Sequence, residues 1–290
     1  MMKLRSMLFV PADSEKKMNR GLISGADALI IDLEDSVAPA NKPQARAMAT
    51  AFIEAHKNDS PAALFVRINP LDSGMALDDL AAIVQSGLAG IMLPKTLSAE
   101  CVRIAGHYLS ALETKAGMPA GNVSIVPVAT ETAQAMLNMQ SFNQPIPRLA
   151  GITWGAEDLS AAIGAISNRD ENGEYAPLYK WAGAMCLLAA ASTGAPAIDT
   201  LYSDFKDTEG LLLSCRNARR RGYSGRIAIH PDQVATINEA FTPSEAEVAH
   251  AQRIVDAFAA NPGAGTLGLD GKMLDMPHLK QARRTLGLSA

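Results

Sequence analysis

Two adjacent carboxylates, Glu157 and Asp158, follow an apolar run and a glycine in the stretch Ile152–Gly164, which reads ITWGAEDLSAAIG. Small, helix-forming residues come next, so the stretch is typical of a short strand that ends in acid just before a helix. In a parallel α/β barrel, side chains at such positions reach a metal ion or a substrate. Paired acids are also common on solvated surfaces, so their role depends on partners from other strand ends.

Further polar side chains recur at the ends of predicted strands. In chain order they are Asp32, Glu34, Asp35, Arg67, Asn69, Lys95, Thr130, Glu131, Asp199, Ser203, Asp204, His230 and Asp232. Because the carboxyl ends of barrel strands meet at one face, we expect a mouth lined with carboxylates and a few cations. Converging carboxylates raise each other's pKa unless a cation neutralises them.

Glu131 and Asp158 are the best candidates for metal ligands. Oxygen ligands without a cluster of His or Cys favour Mg²⁺ or Mn²⁺ over zinc, and Mg²⁺ typically binds only one or two protein carboxylates. Alternation along the strand places Glu131 in phase with Ala129, and Asp158 in phase with Ala156, two small residues that we expect to face the interior. Glu157 has the opposite phase and is expected to face the helix layer.

The other charged residues at the mouth each allow two interpretations. The planar fork of Arg67 suits a substrate carboxylate, with a structural role as the alternative. Lys95 fits a charged partner of the nearby acids better than a Schiff-base lysine. Glu34 and Asp35 are interpreted as ion-pair partners of these cations, with direct ligation of a metal as the alternative. We therefore place Glu34, Asp35 and Lys95 in a supporting role.

Eight strands are needed to position these side chains, and eight β-rich runs alternate with helical patterns. The predicted strands are Met7–Pro11, Ala28–Glu34, Ala63–Asn69, Gly90–Lys95, Ser124–Ala129, Leu149–Trp154, Ala197–Tyr202 and Arg226–His230. This pattern predicts an α/β fold, a (β/α)₈ TIM barrel over residues 1–242. An open doubly wound sheet is the alternative, but no strand is followed by a dinucleotide-binding or P-loop glycine sequence.

The pattern changes after the barrel, and residues 243–290 are predicted to form a C-terminal helical lid. Pro243–Ala260 predicts a helix capped by Ser244, with Glu247 three residues on. A glycine-rich loop, NPGAGTLGLDGKM, precedes a last helix near Met276–Thr285. A lid, which could pack on a neighbouring subunit, and a helix pair packed on the barrel are equal alternatives.

Composition excludes several classes of protein. The chain has 290 residues, a net charge of −4, 48% hydrophobic and 19% charged residues. Its one basic cluster, Arg219–Arg221, follows a helical pattern, so we expect no nucleic-acid partner. No apolar run reaches membrane-spanning length, and the N-terminus does not resemble a signal peptide. Cys101, Cys186 and Cys215 lack a CxxC spacing, which favours a reducing cytoplasm.

Eight motifs follow one another along the chain: LRSMLFVPADSEKK, DALIIDLEDSV, VRINPLDSG, LPKT, ATETAQAMLN, WGAEDLSAAIG, IDTLYSDFKD and DGKMLDMPHLKQAR. The series resembles the citrate lyase beta subunit and its relatives in the HpcH/HpaI aldolase/citrate lyase superfamily, among them malyl-CoA and citramalyl-CoA lyases. The resemblance runs from Leu4 to Leu286. It implies a barrel with a C-terminal lid, a homotrimer or a multiple of it, and a Mg²⁺-dependent lyase. Its substrate would be a 3-hydroxyacyl-CoA thioester, which the enzyme would cleave to an acyl-CoA and a 2-oxo acid. In the other direction, it would condense these two compounds.

The resemblance also implies roles for individual residues. Glu131 and Asp158 would hold the metal, and Arg67 the carboxylate of the 2-oxo acid. Asp275, in the KMLD motif, would be carried on the lid to a neighbouring subunit as the acid/base. Main-chain N–H groups that open the helix after the sixth strand could hold the substrate carboxylate; they belong to Gly155, Ala156 and Glu157.

Three alternatives stay open. A citrate lyase beta subunit would act on an acyl-carrier-protein thioester together with partner subunits. A CoA-independent, metal-dependent 2-oxo-acid aldolase would use the same barrel, although the lid motif argues against it. A non-catalytic binding or assembly subunit would not need the intact site residues. The acyl group itself is not determined, because the motifs concern the shared 2-oxo-acid end.

Overall fold

Eight parallel strands alternate with helices in the first of two compact units, Met1–Phe241, of a computed structural model that describes residues 2–288. The strands are β1 (Ser6–Pro11), β2 (Ala28–Asp32), β3 (Ala63–Arg67), β4 (Leu88–Leu93), β5 (Ser124–Pro127), β6 (Ile152–Thr153), β7 (Ala197–Asp199) and β8 (Gly225–Ala228). The helices are α1 (Glu15–Leu22), α2 (Lys42–His56), α3 (Ala76–Ile83), α4 (Ala99–Lys115), α5 (Ala133–Leu137), α6 (Ala156–Ala162), α7 (Pro177–Thr193), α8 (Thr208–Arg221) and α9 (Val234–Phe241).

The strands form one sheet in the order β5-β4-β3-β2-β1-β8-β7-β6. Two isolated parallel bridges, Ile125 to Leu149 and Val128 to Thr153, bring its two ends together. The predicted (β/α)₈ barrel is therefore confirmed, although β6 is shorter than its predicted strand.

Strand alternation divides the apolar residues into two layers. Side chains such as Met7, Ile30 and Phe65 fill the barrel interior, while their chain neighbours pack against the helices. Phe65 needs a glycine on the next strand, because a Cβ on Gly90 would lie 2.3 Å from its ring. The interior is thus a packed core, and polar side chains are left to its ends.

The second unit, Thr242–Ala290, contains α10 (Glu245–Ala260), β9 (Thr266–Leu269), β10 (Lys272–Asp275) and α11 (Met276–Thr285). Helix α10 begins at the predicted capping box: the Ser244 hydroxyl accepts the N–H of Glu247, whose carboxylate accepts the N–H of Ser244. Strands β9 and β10 pair antiparallel, so the predicted glycine-rich loop is wrong over these residues.

That hairpin has a clear local cause. Asp270 and Gly271 form its two-residue connection with φ of 52° and 75°, the left-handed backbone that a type I′ turn requires. Leu267 and Leu274 pair across the strands and pack with α10 and α11. Across both units, no helix within residues 2–288 is long and apolar enough to cross a membrane.

Candidate active site

Arg67, at the end of β3, is held by acids from the neighbouring strand. Its Nε and Nη2 donate to the two carboxylate oxygens of Asp32 at 2.6 and 2.7 Å. Its Nη1 lies 2.9 Å from Glu34 Oε2, but that oxygen has no aligned hydrogen bond within the described residues. The guanidinium also lies 4.5 Å from the ring centre of Phe9. The fork that we expect to bind a substrate carboxylate is thus already engaged on one side by Asp32.

Burial and ion pairing oppose each other in these acids. Burial by itself would raise the pKa of Asp32, but the hydrogen bonds and charge of Arg67 outweigh it, and the pKa lies below its usual value. For Glu34, burial outweighs the charges of Arg67 and Lys95, and its pKa lies above the usual value. Asp32 was expected at the mouth but was given no role there; its place on the interior face of β2, two residues after Ile30, was the available signal.

Lys95 connects three acids from two segments of the chain. Its Nζ forms a short ion pair with Glu34 and lies 3.5 Å from Asp35 and 3.3 Å from Asp158. Burial lowers the pKa of this amine, but the charge of Glu34 and its hydrogen bond outweigh the effect, so the pKa is raised. The backbone of Lys95 lies at φ 46°, in the left-handed region. The three side chains thus form one ion-pair cluster, and the supporting role of Lys95, Glu34 and Asp35 stays a prediction.

Glu131 is a further buried acid that faces this cluster. Its side chain is 4% exposed, and its Oε2 accepts the backbone N–H of Lys95 at 2.5 Å. A Cβ on Gly155 would lie 2.9 Å from Glu131 Cγ, so only glycine permits this approach. Burial, and then the negative charge of Asp158, raises the pKa of Glu131 to about 8. Glu131 and Asp158 are thus electrostatically coupled.

The strand phase predicted for these two acids is wrong. Val126 and Val128 belong to the interior cluster, whereas Ala129 and Ala156 pack in the outer layer. Glu131 reaches the site because the chain turns after β5, and Asp158 because it lies in the first turn of α6. The alternation of side chains between the barrel interior and the helix layer does not continue beyond the strand ends.

Residues Gly155–Glu157 surround the start of helix α6. Gly155 is its N-cap, and its N–H donates to Thr130 Oγ1 at 3.2 Å, so this donor already has a partner. Ala156 is buried, and Glu157 is exposed rather than turned to the helix layer. Among the three, Gly155 contributes chiefly the space that Glu131 occupies.

A buried network behind the mouth was not predicted. Lys42 Nζ donates to the carbonyl oxygens of Leu33 and Glu34 at 2.7 and 3.0 Å and to Asn69 Oδ1 at 2.7 Å. Asp79 accepts both the backbone and the side-chain N–H of Asn69 at 2.7 Å. A lysine in the first turn of a helix is unfavourable for the helix dipole, and that local conflict was the available signal.

Other predicted mouth residues lie elsewhere. Asp199 follows the interior residue Ile198 and faces the helix layer, where it pairs with Arg226. His230 stacks on Phe205 with ring centres 4.6 Å apart. Asp275 was predicted on the lid and not at the mouth; it is the N-cap of α11 in the second unit, where its Oδ1 lies 2.5 Å from His278 Nδ1. The residues that do converge are Asp32, Glu34, Asp35, Arg67, Lys95, Glu131 and Asp158, which we call the carboxylate mouth.

The carboxylate mouth can take a hard cation. Within residues 2–288, no group of three or more His, Cys, Asp or Glu side chains forms a metal cage. Glu131 and Asp158 instead offer two carboxylates, the number that Mg²⁺ typically takes from a protein. Without a bound cation, the positive charge near Glu131 is too small to compensate its ionised form, and its pKa is therefore raised.

Comparison with known proteins gives the family. A family model described as HpcH/HpaI aldolase/citrate lyase matches residues 5–231. The chain belongs to this family. It is 34% identical over 284 residues to the citrate lyase subunit beta of Escherichia coli K12, covering 97% of this chain and 92% of that protein. It is also 34% identical over 284 residues to a (3S)-malyl-CoA thioesterase of Cereibacter sphaeroides, covering 97% and 93% of the two chains.

A solved structure in this family extends the likeness to the fold. The protein CitE of Mycobacterium tuberculosis, in complex with magnesium, acetoacetate and coenzyme A, is 31% identical with a TM-score of 0.74. The match covers 98% of this chain and 97% of that one. The resemblance inferred from the eight motifs is therefore confirmed over nearly the whole chain.

Proposed function

We propose that this protein is a Mg²⁺-dependent carbon–carbon lyase of the oxo-acid type. Its substrate is a 3-hydroxyacyl-CoA thioester of the malyl, citramalyl or citryl type. Cleavage gives acetyl-CoA, or another acyl-CoA, and a 2-oxo acid such as pyruvate, glyoxylate or oxaloacetate. In the reverse direction, the enzyme condenses these two products. The observation that carries the proposal is the coupling of buried Glu131 with Asp158 beside Arg67 and Lys95. The magnesium and coenzyme A bound by CitE support it.

Glu131 and Asp158 would hold the metal ion. A divalent cation bound there would stabilise the ionised form of Glu131 and so oppose the burial and repulsion that raise its pKa. When bound, Mg²⁺ supplies Lewis-acid polarisation of the oxo-acid oxygen, and Mn²⁺ takes similar oxygen ligands. Lys95 pairs with Glu34 and Asp35 and partly neutralises these two acids.

Arg67 and the start of helix α6 would bind the carboxylate of the oxo acid. Since the Nη1 contact of Arg67 with Glu34 lacks hydrogen-bond alignment, Nη1 is the part of the guanidinium that can turn to a substrate oxygen. The backbone N–H groups of Ala156 and Glu157 open the helix and can donate to the same carboxylate. Gly155 leaves the room that the side chain of Glu131 occupies.

Asp275 is proposed as the general acid/base, carried by the lid unit to the site of a neighbouring subunit in a homotrimer or a multiple of it. In cleavage, a base removes the proton of the 3-hydroxyl group, the carbon–carbon bond breaks, and its electron pair forms the thioester enolate, which takes up a proton at carbon. In condensation, the base removes that α-proton. Closure of the lid excludes water from the enolate.

The three free cysteines of the chain suit a reducing compartment, and we place the enzyme in the cytoplasm.

The test is a substrate panel. The purified protein with Mg²⁺ is given malyl-CoA, citramalyl-CoA and citryl-CoA, while 2-oxo acid and free CoA thiol are measured separately. The proposal predicts release of a 2-oxo acid without free thiol from at least one substrate, and none in EDTA. No 2-oxo acid from any thioester, with cleavage of free hydroxy-oxo acids, would establish the CoA-independent aldolase instead.

Two further activities are resolved by the same panel. Thioester hydrolysis is favoured by the likeness to the (3S)-malyl-CoA thioesterase, and it releases free thiol with malate. A citrate lyase beta subunit would act on an acyl-carrier-protein thioester and leave the CoA esters unreacted. Adding citryl-acyl-carrier protein to the panel therefore separates that function from the proposed one.

A further inference from the structure

A cavity of about 620 Å³ lies between the outer face of β7 and β8 and the helices α7 and α8. Asp199 and Arg226 lie on its strand side, and Leu187 and Leu213 on its helix side. No residue of the carboxylate mouth, as defined above, is among those that line it. Its volume falls in the range of roughly 300–1,000 Å³ that small-molecule sites occupy. The cavity is thus a candidate site separate from the mouth.

Two side chains that line this cavity each have one buried polar atom without a hydrogen-bond partner within the described residues. Arg226 is 3% exposed; one nitrogen, Nη2, pairs with Asp199, but Nε has no hydrogen-bond partner within the described residues. The hydroxyl of Tyr179, which is 2% exposed, likewise has none there. Such a group costs about 1–3 kcal/mol when left unsatisfied. Two such donors in residues that line one cavity suit an occupant that accepts hydrogen bonds.

Asp199 does not satisfy these donors. Its Oδ1 already accepts Trp154 Nε1–H at 2.8 Å and the N–H of Thr200 at 3.0 Å, and its Oδ2 accepts from Arg226. The negative charge of Asp199 is thus enclosed by donors, whereas Arg226 Nε still has a proton to donate. An anionic acceptor gives the strongest bond to a guanidinium.

The charges and shape of the cavity agree with an anionic ligand. Its charged lining residues are four cations, Arg169, Lys180, Arg221 and Arg226, and two acids, Glu174 and Asp199. Cations therefore outnumber acids, and the local field attracts an anion. Five aromatic side chains provide flat apolar faces: Trp154, Tyr175, Tyr179, Tyr202 and Tyr223.

We propose that this cavity binds a small organic anion with a flat apolar body. Its carboxylate or phosphate group contacts Arg226 Nε and the Tyr179 hydroxyl, and its ring packs among the aromatic side chains. This binding does not depend on the proposed lyase reaction, because the cavity and the carboxylate mouth share no residue.

The proposal is tested with probes of matched shape. The full-length Trp181→Phe variant leaves Trp154, on the cavity wall, as the fluorescent reporter. It is titrated with 1-naphthoate, 1-naphthyl phosphate and the neutral 1-naphthamide. We expect saturable quenching by at least one anion and about tenfold weaker binding of the amide. The preferred anion identifies the head group, carboxylate or phosphate.

Two alanines on α7 provide a matched pair of blocking variants. Ala184 is exposed and lines the cavity, while Ala191, seven residues on, is exposed but does not line it. Ala184→Phe should weaken binding about tenfold, Ala191→Phe should leave it within about twofold, and Tyr179→Phe should weaken it severalfold. The proposal is overturned if neither anion saturates, if the amide binds as tightly as the anions, or if both phenylalanine variants bind equally.

Discussion

Glu131→Gln should make the metal-free protein more stable at neutral pH while removing its response to Mg²⁺. Burial and Asp158 raise the pKa of Glu131 from 4.5 to about 8. As the pH rises from 4.5 towards 8, the unfolded chain releases a proton that the folded chain retains, so folding loses about 1.4 kcal/mol per pH unit. At pH 7 the accumulated loss is about 3 kcal/mol. Glutamine removes this loss and can still accept the N–H of Lys95.

Urea denaturation in EDTA at pH 5 and pH 7 measures the effect. The variant should exceed the wild type in stability by about 1 kcal/mol at pH 5 and by about 3 kcal/mol at pH 7. Glu157→Gln, next to Asp158 but exposed, is the matched control and should show no such difference. Mg²⁺ at a hundred times its Kd should stabilise the wild type by about 2.7 kcal/mol and the Glu131 variant far less. A difference that does not grow between pH 5 and pH 7 would refute the reasoning.

Three further changes test other parts of the structure. Asp158→Ala should weaken Mg²⁺ binding, measured by calorimetry, at least about tenfold, because one of the two carboxylates is lost. Glu157→Ala should leave the affinity unchanged. Equal Mg²⁺ affinities of the two variants would show that Asp158 is not a metal ligand. Asp275→Asn should lower kcat by about a hundredfold or more with Mg²⁺ affinity unchanged, and unchanged turnover would make Asp275 structural. Glu113, whose pKa burial would raise, is instead held at about 2 by Arg148. The ionised Glu113 stabilises the fold above pH 4.5, and this stabilisation is lost as the pH falls towards 2. Glu113→Gln should therefore lower the free energy of unfolding by about 3 kcal/mol at pH 7. A loss of stability that does not shrink on acidification would contradict the role of the Glu113–Arg148 pair.

Much of the fold follows from local patterns in the chain. Apolar runs separated by helical segments predict all eight strands, because parallel strands buried on both faces need such runs. Helix α11 begins and ends at the predicted residues, and Ser244 with Glu247 caps α10 as expected. These features depend on residues a few positions apart, so they can be predicted without the tertiary structure.

The missed hairpin in the second unit was also local. Asp270-Gly271 between alternating leucines is a strong hairpin signal, but the glycine content around it favoured a loop. The phase of Glu131 failed for a different reason. Alternation orients side chains only while the chain remains in the sheet, and both Glu131 and Asp158 lie beyond the strand ends.

The sequence by itself determined the barrel, the family and the acids and cations at the strand ends. Only the tertiary structure decided their partners: Arg67 with Asp32, 35 positions away, and Lys95 with Glu34, 61 positions away. It also turned Asp199 outward, where the cavity beside α7 and α8 lies. The physical reason is that strand register and the turns after each strand set which side chains meet, and barrel closure sets both across distant parts of the chain.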